Sequence, residues 1–154
     1  MPTPGAPQPG ATAHNAGMIS LWLAQDLDRA GVRWRPRAGD RFTLRSAEVV
    51  GEVFTVADMV VEAREYPTGT LLAFNGTTEW ALDSVQLDQA LWLPREDQLR
   101  ELLGPAFRSL ARSTTGEYQV LAEVPGQPER LFSAEAAADA YASALLALVT
   151  AARR

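Results

Sequence analysis

The sequence predicts an α+β domain in which an antiparallel sheet, built from two hairpin or meander units, packs against about three helices in an α-β-α sandwich-like arrangement. Helical and strand patterns follow one another in the order helix, strands, helix, strands, helix. Turn signals join neighbouring strands where an alternating βαβ series would have crossover helices. The 154 residues, 47% of them hydrophobic, are enough to form one well-buried core.

Apolar periodicity and end signals delimit the helices. The first is expected over 20–30, with Ser20 as N-cap and Gly31 just past its end. The second is expected over 95–103, after Pro94 and before a Gly-Pro pair. Ser133 is expected to cap a third helix running from 134 to about 152. The apolar face of this helix consists of Ala137, Tyr141, Ala144, Leu145 and Leu148.

Strand patterns fill the intervals between these helices. Residues 41–45 alternate, with Phe42 and Leu44 expected to face inward. Residues 53–66 are β-rich and turn at 67–69 into 70–74, which is the clearest hairpin in the chain. Further on, residues 107–112, 118–124 and 130–132 predict a three-stranded meander. The interval 77–93 is the least predictable part of the chain.

The first seventeen residues form a Pro-, Gly- and Ala-rich leader without periodicity, so residues 1–17 are expected to be disordered. Residues 18–154 are then expected to form a single domain. The one histidine, His14, lies in this leader, and the chain contains neither Lys nor Cys. The domain therefore cannot supply thiol nucleophiles, Schiff-base lysines, Ser-His-Asp arrangements or His- and Cys-based metal sites. No cofactor, metal site or catalytic residue is predicted.

The overall charge limits the choice of partners. With fourteen basic residues against nineteen acidic ones, the net charge of −5 repels phosphate backbones and anionic lipid. Nucleic acid and membrane surfaces are therefore not expected as partners. The absence of cysteine is compatible with a reducing cytoplasm, and a cytoplasmic protein is expected. The oligomeric state is left open.

The first candidate site is an arginine-rich segment. Residues 28–45 hold six Arg against two Asp, whereas residues 48–101 hold eleven acidic residues against three Arg. In an extended segment, Arg33, Arg35 and Arg37 would project around Trp34 as a clamp for phosphate or carboxylate, although Pro36 interrupts that geometry. The alternative is a solvated edge whose arginines pair with the acidic stretch.

The second candidate site is the tract 74–94, which is dense in tryptophan, carboxylates, amides and hydroxyls. Its candidate ligand-binding residues are Asn75, Glu79, Trp80, Asp83 and Trp92. A helical spacing of four would put Glu79 and Asp83 on one face, where paired carboxylates can act as general acid and base or hold Mg²⁺ or Ca²⁺. The alternative is a loop that its apolar side chains anchor to the core.

Several stretches resemble a family of short uncharacterised actinobacterial proteins that are often labelled as the pilus-assembly protein CpaE. They are residues 30–34, 39–42, 74–85 and 91–104, and the resemblance covers residues 18–149. That label implies a ParA/MinD-like ATPase, but this chain lacks the phosphate-binding loop and its lysine. The resemblance therefore implies membership of the family without the ATPase. The C-terminal half also looks like small α-β-α sandwich proteins of phage-derived genes.

These observations favour a non-catalytic cytoplasmic binding or adaptor domain for a protein or a small anionic ligand, acting through residues 33–37 and 75–92. One alternative is an enzyme that uses Glu79 and Asp83 on a small substrate. Another is an accessory role in pilus or secretion assembly, which is implied only by the family label.

Overall fold

The computed structural model describes residues 17–45, 52–56, 62–66, 69–73 and 84–153. In these ranges the helices are α1 (Leu21–Arg29), α2 (Glu96–Leu103) and α3 (Ala137–Ala152). The strands of the first half are β1 (Arg41–Leu44), β2 (Phe54–Thr55), β3 (Glu62–Tyr66), β4 (Gly69–Ala73), β5 (Ser84–Gln86) and β6 (Ala90–Leu93). Those of the second half are β7 (Phe107–Arg112), β8 (Tyr118–Ala122) and β9 (Arg130–Ala134).

The described strands form three antiparallel sheets of three strands each, in the orders β2-β1-β6, β3-β4-β5 and β7-β8-β9. The α+β class is therefore confirmed, as are the hairpin of β3 and β4 and the meander of β7 to β9. No helix in these ranges is both long enough and apolar enough to cross a membrane.

The larger core lies between the helices and the β7-β8-β9 sheet. One face of β8 buries Val120 and Ala122 against α3, whose small alanines allow the helix to approach the sheet closely. Helix α2 adds Leu99 and Leu103, which are almost fully inaccessible to solvent. Burying a leucine side chain of this kind contributes roughly 1.5–3 kcal/mol relative to leaving it exposed.

A second, smaller core lies on one face of the β2-β1-β6 sheet. Phe42, Leu44, Val56 and Ala90 are buried there, with Trp34 and Phe54 packed against them. The ring of Phe42 lies between those of Trp34 and Phe54, at centroid distances of 5.3 and 5.5 Å. The prediction that Phe42 and Leu44 face inward is confirmed.

Helix α1 covers the opposite face of this sheet. Leu91 and Leu93 of β6 belong to the larger core together with Leu23 and Leu27 of the helix. Strand β6 therefore contributes side chains to both cores, with alternate residues pointing to opposite faces. This strand lies at the end of the interval 77–93, for which the sequence makes no structural prediction.

The start of α3 differs from the prediction. Ser133 does not cap the helix; it lies in β9 opposite Gln119, and α3 begins at Ala137 after the N-cap Ala136. The ladder between β8 and β9 continues to the pair Tyr118–Ala134. Ser133 and Ala134 therefore pair with β8 and are not available to begin the helix. The ends of α1 and α2 lie within one residue of the predicted ones.

Candidate binding cleft

The segment that follows α1 begins with a sharp reversal at Gly31. Its φ of +97° is a conformation that glycine adopts readily, and the Val32 amide donates a hydrogen bond back to the Leu27 carbonyl at 3.0 Å. Exposure then alternates. Arg33, Arg35 and Arg37 are exposed, whereas the residues between them are partly buried. The three arginines thus share the solvent side of this segment.

A buried carboxylate fixes the position of Trp34. Asp40, with only 2% of its surface exposed, accepts hydrogen bonds at 2.9 Å from both the indole Nε1 of Trp34 and the backbone amide of Arg37. Its other oxygen accepts from the Gln98 amide at 2.6 Å and from Arg95 at 3.4 Å. The indole is therefore held between the small core on its ring face and Asp40 at its edge.

The first turn of α2 supports this arrangement from the other side. The Gln98 side chain accepts a hydrogen bond from the Arg95 amide at 3.0 Å while it donates to Asp40, so it links the helix start to the carboxylate. Arg95 also donates to the Gly39 carbonyl at 2.7 Å. Its hydrogen bond with Asp97 raises the pKa of Arg95 and holds the pKa of the Asp97 carboxyl below its usual range.

A cleft of about 460 Å³ opens between α1, the Val32–Trp34 segment and the turn that leads into β6. We call it the tryptophan cleft, because Trp34 and Trp92 both line it. The remaining apolar lining includes Leu27, Leu87 and Ala90. The cleft is therefore an apolar and aromatic trough with charged groups along its lining.

Four charged residues contribute to this lining: Asp28, Arg33, Arg45 and Asp88. The guanidinium of Arg45 pairs with Asp28 at 2.8 Å and donates through Nε to the Asp88 carbonyl at 3.0 Å. Within the described ranges, neither the Arg33 guanidinium nor the Asp88 carboxylate has a hydrogen bond or an ion pair. The cleft thus contains one neutralised pair, one unpaired cation and one unpaired anion.

Trp92 contributes a polar atom as well as a ring. It lies opposite Phe42 in the β1–β6 ladder and is partly buried. Its indole Nε1 is buried and has no hydrogen-bond partner in the part of the chain that the structure describes. A buried donor without a partner is unfavourable by about 1–3 kcal/mol.

The cleft brings together three of the residues that the sequence predicts as a site: Arg33, Trp34 and Trp92. Arg35 and Arg37 do not line it. The other candidates, Asn75, Glu79, Trp80 and Asp83, lie outside the described residues, as does the predicted turn at Asn75-Gly76.

Sequence reasoning missed Asp28, Arg45 and Asp88 as cleft residues. Arg45 contacts Asp28 because α1 packs beside the sheet, and no local sequence motif indicates this contact. Within the described ranges, no group of three or more His, Asp or Glu side chains is arranged to hold a metal ion.

No family model matches the chain, and neither a curated protein nor a solved structure is significantly similar to it. The interpretation of the tryptophan cleft therefore depends on its own residues and geometry.

Proposed function

We propose that this chain is a non-catalytic binding module whose tryptophan cleft takes a small organic molecule with a carboxylate group and an apolar or aromatic body. The observation that carries the proposal is the meeting of Arg33, Trp34 and Trp92 in one cleft of about 460 Å³. That volume lies within the range of roughly 300–1,000 Å³ typical of small-molecule sites.

The chemistry of the lining supports this class of ligand. An indole offers a large, rigid apolar surface on which a ring or an alkyl chain can pack. The planar guanidinium of Arg33 matches a carboxylate with two parallel hydrogen bonds. Because Asp40 already fixes Trp34, little side-chain entropy is lost there on binding.

The test is a titration of the full chain with 3-phenylpropionate, followed by tryptophan fluorescence and calorimetry. We expect saturable binding that Arg33→Gln weakens by about fivefold, as the loss of one exposed charge contact predicts. Arg35→Gln removes the same charge two residues away, outside the cleft lining, and is the matched control. Equal effects of the two variants, or no saturable binding, would contradict the proposal.

A second candidate function is the docking of an acidic segment of another protein. It is favoured by the exposure of Arg35 and Arg37, whose side chains have no partner within the described ranges and do not line the cleft. Binding of a glutamate-rich peptide that Arg35→Glu and Arg37→Glu abolish, with 3-phenylpropionate binding intact, would support it. Binding unaffected by these changes would exclude it. The enzyme and pilus-assembly hypotheses remain predictions from the sequence.

A further inference from the structure

We propose that the natural ligand of the tryptophan cleft is a zwitterion of the aromatic α-amino acid class. Arg33 binds its carboxylate, Asp88 binds its ammonium group, and the ring packs against Trp34 and Trp92. This inference rests on the proposed function and adds a second polar group to the ligand.

The distribution of charge in the cleft leads to this class. Of the four charged side chains in the lining, Asp28 and Arg45 neutralise each other at 2.8 Å. Arg33 and Asp88, both exposed, are the two that have no partner within the described ranges. The charges available to a ligand are therefore one positive and one negative.

The backbone that carries these two residues is held in place on both sides. Arg33 follows the reversal at Gly31, which the Val32–Leu27 hydrogen bond closes. On the other wall, Arg45 donates to the carbonyls of both Asp88 and Gln89, at 3.0 and 2.9 Å. The two free charges thus project from two separate segments that line one cleft.

A ligand with a single charge uses only one of the two free charges in this cleft. A pure anion at Arg33 leaves Asp88 unmatched, and a pure cation at Asp88 leaves Arg33 unmatched. A zwitterion gains from both groups and leaves neither charge unmatched. The two indoles favour an aromatic side chain on that zwitterion, because ring pairs gain stacking energy beyond simple burial.

Three probes that share a phenyl ring and a two-carbon chain test the assignment: L-phenylalanine, 3-phenylpropionate and phenethylamine. Calorimetric titration of the full chain should show L-phenylalanine binding about fivefold more tightly than 3-phenylpropionate, and phenethylamine binding most weakly. L-Phenylalanine binding no more tightly than 3-phenylpropionate would overturn the inference.

The variant Asp88→Asn tests whether Asp88 contacts the ammonium group of the ligand or only supports the structure of the cleft. The variant should lower the affinity for L-phenylalanine by about fivefold. Its affinity for 3-phenylpropionate should stay the same or rise, because the variant removes a negative charge from the cleft lining. Glu101→Gln, which removes one exposed charge on α2 away from the cleft lining, should change neither affinity. If Asp88→Asn lowers the affinities for both ligands by the same factor, the proposed ammonium contact is contradicted.

The outcomes also separate the two proposals. If 3-phenylpropionate binds in an Arg33-dependent way and L-phenylalanine binds no more tightly, the proposed binding module is supported and the zwitterionic ligand is excluded. Failure of all three probes to bind would remove both.

Discussion

Asp40 is the residue on which the shape of the tryptophan cleft depends most directly. It accepts four hydrogen bonds, from Trp34, Arg37, Arg95 and Gln98. These donors come from the segment after α1 and from the start of α2, so one carboxylate joins two parts of the chain that are distant in sequence. A carboxylate is suited to this position because each of its oxygens accepts and neither donates.

Asp40→Asn should therefore destabilise the protein. The asparagine amide has one accepting oxygen, so one of the two pairs of donors faces an NH₂ group. We expect the free energy of unfolding, measured in urea, to fall by about 1–3 kcal/mol, which is the cost of leaving a buried polar group without its partner. Binding of 3-phenylpropionate should weaken as well, because Trp34 is no longer held at its edge.

The matched control for this prediction is Asp97→Asn in the first turn of α2, next to Gln98. The Asp97 side chain is 72% exposed, and its ion pair with Arg95 should contribute less than about 1 kcal/mol. Equal losses of stability in the two variants would mean that burial of the Asp40 carboxylate has no special role.

At the scale of elements, the end of α1 sets the direction of the arginine segment. Gly31 has a φ of +97°, and a Cβ built there would lie 2.5 Å from the guanidinium of Arg153. The guanidinium is the far end of a flexible side chain and can move aside. The backbone conformation is the larger obstacle, because L-residues adopt it at a penalty of roughly 1–2 kcal/mol.

Gly31→Ala should lower the free energy of unfolding by about that amount, measured by urea denaturation. Gly126→Ala is the matched control: Gly126 also has a positive φ, +77°, and a Cβ there would meet nothing within 4 Å. Similar losses in both variants would assign the effect to the backbone. A much larger loss at Gly31 would show that Arg153 cannot move.

Among the elements that the sequence predicted correctly, helices α1 and α2 and strand β8 have one buried face. Each of the three shows the period of its secondary structure in the spacing of its apolar residues. Strand β6 shows no such period, because Ala90 faces the small core while Leu91 and Leu93 face the larger one. The sequence of a short strand that is covered on both faces is a continuous apolar run without alternation.

The misplaced start of α3 has a different cause. Serine is a favoured N-cap residue, and Ser133 precedes a run of alanines that favours a helix. Pairing with β8 competes for the same residues and extends β9 to Ala134. That competition depends on a strand that precedes Ser133 by more than ten residues, so local propensity could not reveal it.

At the scale of the whole molecule, part of the candidate cleft could be predicted from the sequence. Arg33 and Trp34 lie in a segment with an evident excess of positive charge, and Trp92 lies in a tract dense in polar and aromatic residues. Their meeting in one cleft depends on the pairing of β1 with β6, which brings residues about fifty positions apart into register. The roles of Arg45 and Asp88 follow from the same pairing, and that of Asp28 follows from the packing of α1 beside the sheet, so none of them could be predicted locally.

The two cores should differ in local stability. In the described ranges, the larger core contains eighteen buried residues from all three helices and several strands, whereas the smaller contains four. Fewer buried apolar contacts mean a smaller free energy of opening. We therefore expect the β1 amides of Phe42 and Thr43 to exchange with solvent deuterons about tenfold or more faster than those of Val120 and Leu121 in β8.

Ligand binding should change this pattern in a specific way. The tryptophan cleft lies beside the smaller core, with Trp34 and Ala90 belonging to both, so occupation by L-phenylalanine should slow exchange in β1 and β6. Exchange in β8 should stay unchanged where it proceeds through local openings that leave the cleft intact, because the ligand slows only the openings that disrupt its own site. Hydrogen exchange with mass spectrometry measures both sets. Equal rates in β1 and β8 without ligand would mean that the two cores unfold as one unit, in which case the ligand would protect both strands alike.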